Sequence, residues 1–353
     1  MSVFLTCARL LMGLAPKILA DDVKLHKYLL NRPSPQAAPI PAALRSSCQI
    51  EEREHQGQRV VTLTPRTGKR DLHVLYLHGG AYVNPLHHSH WSIISAVIGA
   101  TGATVTVPLY ALAPEHDYRV GTALIDTVFD SIVSARKGER IVVMGDSAGG
   151  NAALTLALRR RDDGLSLPDH LFLFAPWLDL SMRDAEMREL ENKDVMLAVD
   201  GARVCGRMWA GDISPELPYM SPLYADLRGM PPMSIFQGDR DIFVVDARKF
   251  AVKAQVAGVT LDYHEYPGGF HVFMGLTFLP EAKDVFRKVE AVTRYLGNAA
   301  WQPAIQSQAA LAAGSAPVWG LSCYSSVLPC CTAVSVLSSW MAPGTTPSPA
   351  SCC

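Results

Sequence analysis

Through the middle of the chain, short apolar runs alternate with stretches whose apolar residues recur at helical spacing. Leu72 to Leu77, Thr104 to Pro108, Ile141 to Met144, Leu171 to Phe174, Ser234 to Phe236 and Leu261 to Tyr266 read as strands. Strands that alternate with helices imply right-handed crossovers and a mostly parallel sheet with helices on both faces, so the fold class is α/β. Ahead of this region, Ser47 to His55 and Arg59 to Thr64 form a hairpin pattern around Gln56-Gly57.

The two ends and one internal stretch depart from the alternation. Near the start, Leu10, Leu11, Leu14 and Ile18 continue at helical spacing past Arg9, and no cation precedes the apolar run. This predicts an amphipathic helix and not a signal peptide. A proline-rich link, Arg32 to Pro41, follows. Between Leu180 and Pro215 the strand pattern gives way to a helical insertion containing Met182, Met187, Met196, Met208 and Trp209. From about Asn298 to Cys353 the chain is rich in Ala, Ser, Pro, Gly and Thr, without sustained period, which predicts a disordered or weakly docked tail. Val327 to Met341 is apolar but broken by Pro329 and by serines, and is short of the ~20 residues a membrane span needs.

Composition narrows the function classes. With 353 residues, 49% of them apolar, the chain can build a large core, and 32 Lys plus Arg against 33 Asp plus Glu leave a net charge of −1. No basic field favours nucleic acid or an anionic membrane. Of the eight cysteines, Cys7, Cys48 and Cys205 are scattered while Cys323, Cys330, Cys331, Cys352 and Cys353 crowd the tail. No Cys-x-x-Cys and no paired Cys/His spacing points to zinc, and scattered thiols suit a reducing, cytoplasmic compartment.

The chemistry concentrates after two of the strands. Gly145-Asp146-Ser147-Ala148-Gly149 follows Ile141 to Met144 and opens a helix. Glycines two before and two after the serine allow a turn tight enough to lift its hydroxyl above the sheet, with the helix N–H groups aimed at the space over it. Leu72 to Leu77 runs directly into His78-Gly79-Gly80-Ala81-Tyr82, where the adjacent glycines let backbone N–H groups approach a ligand. Gly79, Gly80 and Ala148 are the expected donors of an oxyanion hole. A serine hydroxyl is a weak nucleophile and needs a base and an orienting acid, which in this strand–turn–helix setting follow in the order Ser, Asp, His. Asp241, in Gly238-Asp239-Arg240-Asp241, and His271, in Pro267-Gly268-Gly269-Phe270-His271, both lie just past strands. Asp239 is a rival acid; Asp246 has the position of a helix cap, and His264 lies within a strand. His87-His88-x-His90 lacks a carboxylate or cysteine partner and reads as a polar loop rather than a metal site. Asp146, Asp179 and Glu115 read as structural.

Together, His78-Gly79-Gly80 and Gly145-Asp146-Ser147-Ala148-Gly149-Gly150-Asn151 resemble the hormone-sensitive-lipase family of α/β-hydrolases, the bacterial family IV esterases. The resemblance also covers Tyr110 to His116, Ser221 to Tyr224, Gly238 to Asp241 and Gly269 to Phe273, and runs to about Leu296. It departs at Ala111, where the family usually has arginine, and at Tyr118-Arg119-Val120, where it usually has a proline-containing stretch. The family pattern favours Asp241 over its rivals and implies an α/β-hydrolase fold with a helical cap.

The expected domains are therefore N-terminal cap helices and linker over 1–45, a catalytic domain over 46–297 with a cap insertion at 180–216, and the tail over 298–353. The expected substrate contacts are Tyr82, just after Gly79-Gly80, and Met208 and Trp209, on the apolar underside of the cap. The resemblance implies a serine esterase for short to medium acyl chains, with Ser147, Asp241 and His271 as triad and with neither metal nor cofactor. Amide or formamide hydrolysis and acyl transfer use the same elbow and stay open, as does a homodimer. A non-catalytic receptor is disfavoured by the presence of His271.

Overall fold

The computed structural model describes residues 1–14, 17, 22–32 and 36–296. The tail from Asn298, with Val327 to Met341 and its five cysteines, lies outside them, as does Ile18.

The eight strands of the sheet are β1 (Cys48–His55), β2 (Gln58–Pro65), β3 (Leu72–Leu77), β4 (Thr104–Pro108), β5 (Arg140–Asp146), β6 (His170–Phe174), β7 (Met233–Gly238) and β8 (Leu261–Tyr266), in the order β1-β2-β4-β3-β5-β6-β7-β8. β2 is antiparallel to both β1 and β4, and every pairing from β4 onward is parallel. The hairpin turns through Gln56 and Gly57, both at positive φ, as a two-residue loop matched to strand twist requires. Three strands match their sequence limits; β5, β6 and β7 run further, because polar or small end residues such as Gly145 and Asp146 still pair, with Leu77 and Phe174 respectively.

Alternate side chains of the inner strands feed two cores. Leu75, Leu77, Ile141 and Val143 pack on one face, beneath α5 (Tyr118–Ala135), α6 (Ala148–Asp162) and α9 (Val244–Val256). Val74, Tyr76, Val142 and Met144 pack on the other, beneath α4 (His88–Thr101), α10 (Pro280–Tyr295) and the N-terminal α1 (Val3–Met12). Burial on both faces explains why β4, β6 and β7 are buried at every position.

The N-terminal helix forms, but on a different stripe from the expected one. Leu5, Ala8 and Met12 face inward, while Leu10 is 64% exposed and Leu14 81%. The helix begins where the Ser2 hydroxyl accepts the Leu5 N–H and ends at Met12, so Leu10 and Leu11 lie within it on the exposed side and Leu14 lies beyond its end. Helix α2 (Asp22–Asn31) contacts α8 (Val199–Ala210), which with the short α7 (Ala185–Leu190) makes up the predicted insertion; α3 (Ala42–Ser47) leads into β1. Among the described residues no helix is long and apolar enough to cross a membrane, and Cys7, Cys48 and Cys205 are free thiols.

Candidate active site

Ser147 stands between the last residue of β5 and the first of α6, with φ 53 and ψ −118. Non-glycine residues held in such conformations cost on the order of 1–3 kcal/mol, and here the surroundings enforce it. The Ser147 N–H donates to the Phe174 carbonyl (2.9 Å), and its carbonyl accepts from Gly150 (3.0 Å) and Trp177 (3.0 Å). The flanking glycines are required by contact: a methyl group at Gly145 would overlap the backbone of Gly149, and one at Gly149 would overlap the carbonyl of Leu77.

Two further loops meet this turn. His271, five residues past β8, places Nε2 2.9 Å from Ser147 Oγ. Its Nδ1 donates to Asp241 Oδ2 (2.8 Å). The other Asp241 oxygen accepts the Phe243 N–H (2.9 Å), and Gln237 Nε2 donates to Oδ2 (2.9 Å). All three expected triad residues are buried and joined in one line of hydrogen bonds. Burial alone would lower the His271 pKa, but the charge and hydrogen bond of Asp241, helped by Asp194 and Asp146, outweigh it and hold the imidazole above its ordinary value.

The loop after β3 departs from the expected donor set. The Gly79 N–H donates to Asp146 Oδ1 (3.1 Å) and is therefore already engaged. Past it the backbone reverses, with positive φ at Gly80, Ala81 and Tyr82, and the Gly80 carbonyl accepts from Val83 (3.1 Å) and Asn84 (2.8 Å). No hydrogen bond within the described residues takes up the N–H of Gly80 or Ala81. Ala148, as the first residue of α6, has no intrahelical acceptor for its own N–H.

Asp146 is the hub beneath this loop. Its Oδ1 also accepts from Tyr76 Oη (2.6 Å), and its Oδ2 lies 3.3 Å from His90 Nε2. Burial would raise its pKa, but His90 and Tyr76 prevail and the carboxyl is held below its usual range. His90 was expected to lack a carboxylate partner, and the fold supplies one in Asp146, distant in sequence. His90 Nδ1 accepts the His87 N–H (2.7 Å) and closes the first turn of α4, and among the described residues no group of side chains is arranged to hold a metal ion. His78, lowered to about 3 chiefly by burial, is neutral and stacks on Tyr110.

Of the expected substrate contacts, Tyr82 and Trp209 are buried and stacked, ring centroids 4.0 Å apart, and Met208 is half-buried against the same core. The Tyr82 hydroxyl donates to Asn151 Oδ1 (2.7 Å), whose amide reaches the Trp177 and Met220 carbonyls. Asp239 accepts from the Gly268 N–H (2.6 Å), away from the imidazole, and His264 pairs with Asp262. Asp179 gathers Ser181, Ser221 and Tyr224, and Glu115 pairs with Arg32, both structural as expected.

Asp246 does not cap a helix. It is the third residue of α9, which starts after Phe243, and among the described residues neither of its carboxylate oxygens has a hydrogen-bond partner. Burial, with Asp179 and Asp184 nearby, pushes its carboxyl up to about 8. Gln237 and Asp194 were not read as parts of the site; Gln237 lies in a buried strand and Asp194 in the insertion, and no spacing ties either to the triad.

A serine on a strained strand-to-helix turn, served by loops from the carboxyl ends of a mostly parallel sheet, defines an α/β-hydrolase, and residues 74–275 match the family model for the alpha/beta hydrolase fold. Over 222 residues the chain is 31% identical to an esterase of Acinetobacter venetianus, covering 61% of this chain and 72% of that protein. It is 30% identical over 230 residues to an acetyl-hydrolase of Streptomyces hygroscopicus, covering 64% of this chain and 75% of the relative. The solved structure of an esterase from the bacterial hormone-sensitive lipase family shares the fold, with a TM-score of 0.71 at 24% identity over 84% of this chain and 99% of that one. The chain belongs to the α/β-hydrolase family and is a carboxylic ester hydrolase.

Proposed function

We propose that the protein is a serine carboxylesterase that hydrolyses short- to medium-chain esters through an acyl-enzyme. The observation that carries this reading is the continuous hydrogen-bonded line from Ser147 Oγ through His271 to Asp241. His271 Nε2 takes the hydroxyl proton as Ser147 attacks the ester carbonyl, and Asp241 holds the imidazole tautomer and stabilises its charged form. The tetrahedral oxyanion is held by the N–H groups of Gly80, Ala81 and Ala148, each worth about 2.7–4 kcal/mol in the transition state. Gly79 contributes indirectly, because its bond to Asp146 fixes the loop. Collapse expels the alcohol with the proton from His271; the same base then activates water, which releases the acid.

The N-terminal helices and the 180–216 insertion form a cap in this reading. α2 is pinned to the oxyanion loop, with the Arg32 guanidinium on the Val83 and Ala113 carbonyls and Tyr28 Oη on Asn84 Oδ1 (2.7 Å). A cap so anchored limits the acyl chain. The test is hydrolysis of p-nitrophenyl esters from acetate to palmitate by wild type and Ser147→Ala. Turnover concentrated on short and medium chains, and reduced at least about 10⁴-fold in the variant, is expected. Undiminished turnover by folded Ser147→Ala contradicts the mechanism, and a preference for palmitate contradicts the cap.

A further inference from the structure

Asp194 lies in the segment between α7 and α8, far in sequence from the triad, yet it is buried against it. Its Oδ1 accepts the N–H groups of Met196 (2.7 Å) and Leu197 (2.8 Å), folding its own segment into a turn. Its Oδ2 reaches across 48 positions to accept the N–H of Ile242 (2.9 Å), the residue immediately after Asp241. The acid loop is thus bonded from two sides: Phe243 N–H to Asp241 itself, and Ile242 N–H to the insertion.

A buried carboxylate beside another buried carboxylate is unfavourable unless something offsets it. Three backbone donors offset part of that here, and Asp194 favours the charged form of the nearby His271. Burial, together with Asp241, raises the Asp194 carboxyl to about 6. The charged groups around it are Asp241 and His271 on the triad side; Lys17 and Glu191 line, with Gly13, Asn192 and Val195, a cavity of about 280 Å³ on its outer side. Lys17 Nζ donates to the Glu191 carbonyl (2.9 Å).

We propose that Asp194 is a positioning residue for the Asp241–His271 pair: it ties the acid loop to the helical insertion through the Ile242 N–H and adds a second negative charge behind the imidazole. The seating of the insertion is thereby coupled to the strength of the base. This rests on the triad reading above. A clamp without charge would hold the loop but leave the titration of His271 alone, and the two can be separated by experiment.

The base must be neutral to accept the serine proton, so kcat/KM falls as pH drops through the His271 pKa, which in the wild type lies above the ordinary 6.5. Asp194→Asn removes the charge and presents an amide to the Ile242 N–H. The expected result is a kcat about tenfold lower, KM within about twofold, and an acid limb moved down by about half to one pH unit. The titration of the His271 imidazole, followed by NMR, moves by the same amount and needs no turnover, so a protein without esterase activity overturns the triad reading while this measurement still decides the role of Asp194. Asp194→Ser, which retains a short acceptor for the turn, gives the same readout if Asn does not fold. An acid limb and a titration that stay in place in folded variants overturn the proposal, whatever happens to kcat.

Discussion

At Ser147 the backbone and the side chain do separate work: the positive φ aims the hydroxyl, while the surrounding amides anchor the turn to β6. Asp246 is the opposite case, a buried carboxyl with no hydrogen-bond partner for either oxygen among the described residues. Folded Asp246 keeps its proton to about pH 8, against an ordinary 3.8, so the native state binds more protons than the unfolded chain between those values. Its stabilising contribution is fully present below the unfolded pKa and is lost as pH rises towards 8. Asp246→Asn is expected to flatten that dependence and to be more stable at pH 8 by about 1–3 kcal/mol, read from urea midpoints between pH 4 and 9. Parallel curves for the two proteins contradict this. Single residues were legible in the sequence where chemistry dictates spacing, as at Ser147 and His271. Asp246 was misread because its position suggests a cap, and only the observed start of α9 after Phe243 shows otherwise. The engaged Gly79 N–H was hidden for a similar reason, since the conformation of the turn decides which amide points where.

Among the elements, the β5–α6 elbow is the most constrained, because α6 starts almost in contact with the end of β3. Gly149→Ala would press a methyl group into the Leu77 carbonyl, backbone against backbone, with no side chain free to yield. A loss of about 1–3 kcal/mol or more in the urea midpoint is expected, with turnover down by more than tenfold as the serine is displaced. An unchanged midpoint would mean that helix and strand can separate at no cost. The strands were legible because burial on both faces makes them continuously apolar, and β3, β4 and β8 fell on their sequence limits. The insertion was legible as an interruption but not as structure: α7 has six residues and α8 twelve, too short for apolar spacing to say which residue of the turn between them meets the triad. The N-terminal helix was legible as amphipathic but its inward stripe was not, since Leu10 and Leu11 are as apolar as Leu5 and only docking against α10, where Ser2 bonds Glu281, selects the face.

For the whole molecule, the sheet brings together, at the carboxyl ends of β5, β7 and β8, the loops that carry Ser147, Asp241 and His271, the first and last of them 124 residues apart in sequence. A net charge of −1 leaves no long-range field to steer a charged partner, which accords with an uncharged ester as substrate. Chain order and strand endings made this convergence readable beforehand; distances, and the bond from the insertion to the acid loop, required the folded chain. The most direct test of the central claim, that Ser147 is the nucleophile activated by His271, is reaction with a p-nitrophenyl alkylphosphonate followed by intact mass and peptide mapping. One phosphonyl group on the peptide carrying Ser147 is predicted, formed far more slowly in His271→Ala and absent in Ser147→Ala. A folded wild-type protein that takes up no label, or carries it on another residue, would contradict the account.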